Sequence, residues 1–503
     1  MHVISTHPLL SPLYGKEGYG IIGDQHSKRI QDTLSKVLEE MKELYIIAIP
    51  MIMAGLLVYG KSLISMFFMG MIGKDALTGG SLAICVANIT GYSVVSGLAA
   101  GMEGISSQAY GANKWSLMGQ TLNRTILIIL TLATFPISFS WFNSKPLFLY
   151  WFNNNQTLST IATTYLKYSI PSLILQSFIN PLRIHLRTQK LTKPLMLSAA
   201  LALASHAPIN YYFINHLGFN NIGAVALSAS LTDFNIFVSL AFYLYFFGAV
   251  TWSWPEWSFR NCFLEWKPIL SQAIPSCISV CLEWWWYELM IMLSGLLVNS
   301  GDAVACMGIL MQATMLVYQF PFALNQAAST RVGIELGANQ PKKAKTAAFV
   351  ALSCGFVTGI VSLVFMVAVK DTWGKIFTKD RAILSLSAAV LPVVGLCEVG
   401  NCPQTTVCGV LRGSGRASMG ACINVGSFYG VGFPVAMFVG FKMGKGLIGL
   451  WVGLVGAQLV CAFVMVVVLV TTDWNVQAER AKELTRSTSN DVDDGLVSLV
   501  LEN

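Results

Sequence analysis

From about residue 44 onward, the chain alternates long apolar runs with short breaks that are polar or carry Gly and Pro. Each run approaches or exceeds the ~20 residues a helix needs to cross a bilayer. Twelve such runs lie near 44–70, 78–101, 119–143, 157–180, 194–215, 222–249, 271–297, 303–327, 344–369, 383–408, 417–440 and 446–471. The pattern predicts an all-α polytopic membrane protein with twelve transmembrane helices. Residues 1–43 are polar and lack the apolar core of roughly 7–15 residues that a cleaved signal peptide needs. They read as a cytosolic tail, in which Leu9-Leu10 is either a chance pair or a sorting signal. Residues 250–270 are more polar and rich in Trp, as expected of an amphipathic linker on the membrane surface. The expected organisation is a first lobe over 44–249, the linker 250–270, a second lobe over 271–471, and a cytosolic tail over 472–503.

Composition agrees. Hydrophobic residues make up 54% of the 503 and charged residues 11%, against about 25% charged in a soluble domain. With a mean hydropathy of +0.60, an ordinary soluble chain, a disordered one and a coiled coil are all excluded. The net charge of +7 fits basic cytoplasmic loops. No zinc-finger spacing or RNA-binding aromatic motif accompanies it, so no nucleic-acid partner is expected. The eleven cysteines are scattered and form no CxxC pair. They read as small buried hydrophobes, with no disulfide framework and no metal site. No HExxH, phosphate loop or Ser/His/Asp set points to an enzyme.

Lys and Arg set the orientation. With a cytosolic N-terminus, the inner loops hold thirteen, among them Arg183, Arg187, Arg331 and Arg412, and the outer loops hold eight. Both termini are therefore expected in the cytosol. Asn155-Gln156-Thr157 then falls on an outer loop as a possible glycosylation triplet.

The chain repeats itself. Ala48-Ile49-Pro50 returns as Ala273-Ile274-Pro275, at an offset of 225. Gly111-Ala112-Asn113 returns as Gly337-Ala338-Asn339, at 226, and Leu186-Arg187 as Leu411-Arg412, at 225. Each pair occupies the same place in its half. Six spans per repeat is an even number, so both halves enter the membrane from the same side, related by an axis along the membrane normal. Two such lobes leave a central cleft that rocking can open to either side.

Five acids fall within or close to the spans: Glu103, Asp233, Glu283, Glu288 and Glu398. Each is costly there and is a candidate by default, and such acids suit proton exchange. Glu283 and Glu288 are five residues apart, so they point about 140° away from one another on a straight helix. Glu398 shares a helix face with Asn401, just before the helix-loosening Pro403. Gln312, Gln319 and Gln326 recur every seven residues as a polar stripe, which glues helices or lines a cavity. Tyr59 and Lys61 sit in the first span, near the repeat counterparts of Trp284 and Trp286. Lys61 could pair with an acid, attract an anion or snorkel. Trp284 to Tyr287 surround the acids and suit an organic cation as well as helix packing. Glu103 reads as a salt-bridge partner, His185 and His206 as structural. Asp233 is isolated in the sequence and has no assigned role.

Several segments carry a family resemblance. Cys281-Leu282-Glu283-Trp284-Trp285-Trp286-Tyr287-Glu288 resembles the CLEWW-type motif of eukaryotic multidrug and toxic compound extrusion (MATE) transporters. Ser107–Ala112 resembles their GQAYGA motif, Arg331–Ala338 their RVGNELGA motif, and Gly409–Gly413 their GVxRG motif. The motifs occur in family order over about 44–475, in the manner of the plant members. The resemblance implies two six-helix lobes around a central cleft and a proton-driven efflux antiporter. It makes Glu283 the proton carrier, helped by Glu288 or Glu398. Many plant relatives look to have Asp where this chain has Asn401, and Asn cannot titrate. Either Glu398 takes over one turn earlier, or span ten only hydrogen-bonds Glu283.

The expectation is a proton-coupled antiporter exporting small organic molecules from the cytosol, with organic cations favoured. Organic anions or carboxylate hormones such as abscisic acid are the alternative, and a channel or membrane enzyme a distant one. Protons are the coupling ion and no cofactor is expected. Tyr59, Lys61, Trp284, Tyr287, Gln312, Gln319 and Asn401 are the expected cavity residues. The expected protein is a monomer in the lipid bilayer of the plasma membrane, the vacuole or another endomembrane.

Overall fold

The computed structural model describes residues 16–151, 155–216, 222–246, 266–298 and 300–486. The Leu9-Leu10 pair and most of the expected linker lie outside them. Among the described residues there is no strand, and twelve long helices follow one another. They are α1 (Lys16–Ile72), α2 (Asp75–Gly111), α3 (Trp115–Phe142), α4 (Gln156–Thr188), α5 (Lys193–Asn215), α6 (Ile222–Phe246), α7 (Trp266–Ser294), α8 (Ser300–Gly337), α9 (Pro341–Val369), α10 (Arg381–Gly413), α11 (Ala417–Lys442) and α12 (Gly446–Thr471). Nine of them are long and apolar enough to cross a membrane. The other three, α4, α5 and α7, are richer in polar and aromatic side chains. Even α5, at 23 residues, spans about 34 Å at the helical rise, enough for a hydrocarbon core. Large apolar side chains stay exposed around the outside, Phe139 at 74% and Phe463 at 69%, as a lipid-facing surface requires.

One apolar core fills the first lobe, from Met69 through Trp141 and Leu166 to Leu240. A second, around Trp286, Met307, Phe428 and Trp451, fills the second lobe. A third joins Leu44, Ile47 and Ala48 of α1 to α8, α9, α10 and α12. Segments towards both described ends reach this last region. From Lys16 onward α1 runs without a break through the polar residues before 44, so the expected boundary falls inside a helix. After α12 a further helix covers 474–486. Trp474, Ala478 and Ala481 form its buried stripe, and Lys114 Nζ donates to the carbonyl of Thr485 at 3.0 Å. Both described ends therefore lie at one face, here called the terminal face.

At that face the repeat becomes structure. Asn113 and Asn339 both have φ 58°, a left-handed conformation that Asn tolerates and that ends a helix. The same bonds close α2 and α8: Lys114 N to Ala109 O at 2.9 Å, and Gln340 N to Glu335 O at 2.8 Å. Gly111 and Gly337 meet the opposite helix backbone to backbone. A Cβ on Gly111 would lie 2.0 Å from the Ile334 carbonyl oxygen, and one on Gly337 would lie 2.0 Å from that of Gln108. The two contacts are images of one another under the repeat. Contact between α2 and α8 is concentrated in this 102–111 segment, which closes the cleft at the terminal face.

Four cations expected in loops lie instead inside helices that continue beyond their apolar runs. Arg187 and Arg331 are buried. Arg187 pairs with Glu103 at 2.7 Å, and Arg412 reaches the same carboxylate at 3.7 Å from the other lobe. Arg331 grips both oxygens of Glu40 at 2.8 Å and also pairs with Glu335 at 2.7 Å. Arg183, also in α4, lies within electrostatic reach of Asp233. These charges fix helix ends, so the basic excess expected of loops is smaller than the sequence count. Asn155 uses its side-chain oxygen to cap α4, accepting from Leu158 N at 3.1 Å.

Candidate functional site

Helix α7 carries two chemistries on two faces. Glu283 points into the second lobe, where it is buried and accepts from Tyr318 Oη of α8 at 3.2 Å. Trp286 packs on the same side against Phe428 and Tyr429 of α11, ring centroids 5.8 Å away in each case. Tyr287 is half-buried and within electrostatic reach of both Glu283 and Glu398.

Glu398 of α10 is 1% exposed. Asn401 Nδ2 donates to its Oε2 at 2.9 Å, and Cys402 Sγ lies 3.7 Å from the same oxygen. Asn401 in turn accepts through Oδ1 from Gln458 Nε2 of α12 at 3.2 Å and from Thr405 Oγ1 at 3.3 Å. Gly400 makes this possible, because α12 crosses so close that a Cβ there would meet Gln458 at 2.8 Å. Asn401 is fully buried and committed to these bonds, which corrects its expected place in a substrate cavity: it positions an acid. Glu283 and Glu398 lie within electrostatic reach of one another. Arg412 acts on Glu283 from beyond ion-pair distance while paired with Glu103. Two buried acids thus share one lobe, and their hydrogen-bond partners are neutral.

Glu288 faces the other way. It is half-buried on the first-lobe side of α7, where Cys85 Sγ of α2 donates to its Oε2 at 2.9 Å and Asn88 also bonds it. It does not join Glu283 and Glu398, because five helical residues turn it to the opposite face of α7. The α2 backbone widens here into a π turn, Asn88–Tyr92, and the Ile89 carbonyl accepts from the Trp285 indole at 3.0 Å. Trp284 is half-buried one turn before Glu288.

The first lobe holds a counterpart of different charge. Lys61 Nζ of α1 pairs with Asp233 Oδ1 of α6 at 2.6 Å, and Ser172 Oγ of α4 donates to Oδ2 at 2.5 Å. Tyr92, the repeat counterpart of Tyr318, donates to Ser172 at 3.2 Å. Helices α1, α2, α4 and α6 therefore build in one lobe what α7, α8, α10 and α12 build in the other. Asp233 is isolated only in sequence, and Lys61 is no unpaired cavity cation. His206 sits nearby between Ser65 at 2.9 Å and Thr232 at 2.7 Å, a structural arrangement.

Gln312 and Gln319 of the glutamine stripe face the seam between lobes. Tyr59 Oη donates to the Gln312 carbonyl and side-chain oxygens at 3.3 Å. Gln319 Oε1 occupies the space that a Cβ on Gly55 would need, 2.5 Å away. Tyr59, Gln312 and Gln319 join α1 to α8 across this seam and stay part-exposed there. Sequence reasoning missed Tyr318, Gln458 and Cys85. The spacing of Tyr92 and Tyr318 could have exposed the first, and the amide of Gln458 in a very apolar helix the second.

The MatE family model matches residues 50–212 and 275–438, two copies in the same register as the repeated motifs. Protein DETOXIFICATION 49 of Arabidopsis thaliana is 48% identical over 472 residues, covering 93% of each chain. Protein DETOXIFICATION 48 of the same plant is 49% identical over 451 residues, 90% of this chain and 84% of that one. The crystal structure of the eukaryotic MATE transporter AtDTX14 superposes with a TM-score of 0.85 at 27% identity, covering 90% of this chain and all of that one. Members of this family are transporters, not enzymes. The two lobes, the doubled family match and the near-complete coverage by plant relatives make this chain a multi-pass membrane transporter of the MATE family.

Proposed function

We propose that the protein is a proton-coupled antiporter that exports small organic cations from the cytosol, with the terminal face cytosolic. One observation carries this reading: Glu283 and Glu398 share a buried site whose direct partners are the neutral Tyr318, Asn401 and Cys402, whereas the first-lobe acid is already matched by Lys61. Two buried carboxyls without an ion-pair partner in one lobe favour either a proton or a cation, because a buried charge needs neutralising. Substrate loaded from the cytosol occupies the lobe whose acids are ionised. Protons arriving from the acidic side neutralise them, weaken the hold on the cation and shift the lobe equilibrium, so the substrate leaves outward. Each elementary charge moved through 100 mV contributes about 2.3 kcal/mol. Protons are then the coupling ion, with no other cofactor. The working unit is a monomer in the bilayer of the plasma membrane or of an acidic endomembrane.

An anionic substrate would need a free cation in the lobes. Lys61 is the candidate, and its pairing with Asp233 argues against that role. The test is efflux from proteoliposomes against a panel of cations and anions, with and without a proton gradient. Gradient-driven, saturable export of cations supports the reading. Export that ignores the gradient, or a linear current, overturns it.

A further inference from the structure

Cys277 and Cys281 are a thiol pair that the proton site leaves unused. They stand one helical turn apart on one face of α7, with their Sγ atoms 3.8 Å apart. That face is turned to the other lobe. Cys277 Sγ lies 3.7 Å from the Val94 carbonyl oxygen of α2, and Cys281 Sγ 3.6 Å from Ser93 Oγ. Glu283, two residues after Cys281, points about 160° away from it, into the second lobe. The seam is tight here. A Cβ on Gly97 of α2 would lie 2.6 Å from Cys277 Cα, and Gly101 meets Ala273 closer still. Backbone packs on backbone, so little larger than a sulfur atom fits between the two helices. Cys277 is half-buried, and Cys281 is 6% exposed.

The spacing selects what the pair can bind. A disulfide needs Cβ atoms about 3.5–4.5 Å apart, and residues four apart on a helix hold theirs about 5–6 Å apart. A structural zinc ion takes about four ligands, and among the described residues no group of three or more His, Cys, Asp or Glu is placed to hold a metal. What fits is one soft atom that bonds both sulfurs and brings its remaining substituent with it. We infer that Cys277 and Cys281 form a dithiol site for trivalent arsenicals at the lobe seam, and that a bound arsenical blocks the rocking of the lobes. With an arsenoxide, R–As=O, both S–H bonds break and two As–S bonds form. The two protons leave with the oxygen as one water, and arsenic stays trivalent. The substituent R then stands at the crossing of α2 and α7, where the glycine contacts leave it no room while the seam is closed. A conformation that cannot hold the adduct is depopulated. The inference goes beyond the proposed function and is independent of the substrate's charge and of proton coupling.

The experiment treats the full chain in proteoliposomes with phenylarsine oxide and reads the adduct by intact mass, which needs no substrate. The parent, Cys277→Ser, Cys281→Ser and the double variant are compared, and export is followed with a substrate of the panel above that the parent carries. The parent should gain one phenylarsenic bridge that every serine variant lacks. The dithiol 2,3-dimercaptopropanol should remove it, and 2-mercaptoethanol at the same thiol concentration should not. Bridging should slow export about tenfold or more in the parent and leave the serine variants within about twofold of their untreated rates. Copper phenanthroline should leave the pair reduced. Unfolding temperatures of the serine variants near that of the parent show that the fold is kept. A bridge that survives either single substitution overturns the site, because other cysteines would then hold it. A mass loss of two hydrogens on oxidation, absent from both single variants, overturns the one-atom bridge and makes the pair a disulfide. A bridge that leaves export unchanged overturns the block.

Discussion

Asn401 Nδ2 lies 2.9 Å from Glu398 Oε2, one turn along the same helix, and is held there by Gln458 of α12. An amide fills the place where the family resemblance leads one to look for a carboxylate, and the carboxylate stands one turn earlier. A network of fixed hydrogen bonds holds it on the side of Glu283.

Replacing Asn401 with Leu should cut this network. Glu398 would lose its amide donor, and the buried Gln458 would lose an acceptor. Leaving a buried polar group unsatisfied costs about 1–3 kcal/mol. The variant should unfold at a lower temperature in detergent, and its proton-driven efflux should fall more steeply than its counterflow at equal pH. Equal losses in both assays would assign Asn401 to the fold alone.

The first-lobe pair makes a contrasting prediction. Asp233 is 2% exposed and Lys61 16%, so removing one partner leaves the other charge in the lobe, at a cost of about 3–5 kcal/mol. Lys61→Ala and Asp233→Asn should each lower thermal stability strongly. Lys61→Met combined with Asp233→Leu should recover much of it, because two apolar groups replace two charges. Loss of anion transport in a fully stable Lys61→Ala protein would instead make Lys61 a substrate ligand.

The reciprocal contacts of Gly111 and Gly337 predict matched effects. A methyl at either position would lie 2.0 Å from a carbonyl oxygen of the other lobe, far inside contact distance. Gly111→Ala and Gly337→Ala should both prevent full closure of the terminal face. The protein should then be more reactive to a membrane-impermeant thiol reagent at a cysteine introduced beside the seam. Gly301→Ala and Gly430→Ala, where a Cβ meets nothing within 4 Å, should leave reactivity unchanged. Different outcomes for Gly111 and Gly337 would break the two-fold account.

Much of the architecture was legible in the sequence, because lipid demands uninterrupted apolar helices and a repeat leaves its motifs at fixed offsets. The twelve helices and the Gly-Ala-Asn ends came from those two constraints. Helix extent was less legible: α4, α8 and α10 continue past their apolar runs because Arg187, Arg331 and Arg412 are neutralised by Glu103 and Glu40 from distant segments. Hydropathy sees a charge and cannot see its partner. Asp233 is the same case, since its meaning lies in Lys61, five helices earlier in the chain. The acids of the candidate site could be listed from sequence, but their grouping could not. Facing angles separated Glu283 from Glu288, whereas only packing shows Asn401 supporting Glu398.

The central claim is that the second lobe couples transport to protons through Glu283 and Glu398. The direct measurement is cation efflux from proteoliposomes driven by an imposed pH gradient, with proton flux recorded alongside, for the parent, Glu283→Gln, Glu398→Gln and Glu288→Gln. The account predicts that Glu283→Gln and Glu398→Gln each abolish the response to the gradient, and that Glu288→Gln, on the other face of α7, retains it. Gradient-driven efflux with accompanying proton flux in the Glu283→Gln and Glu398→Gln proteins would contradict it.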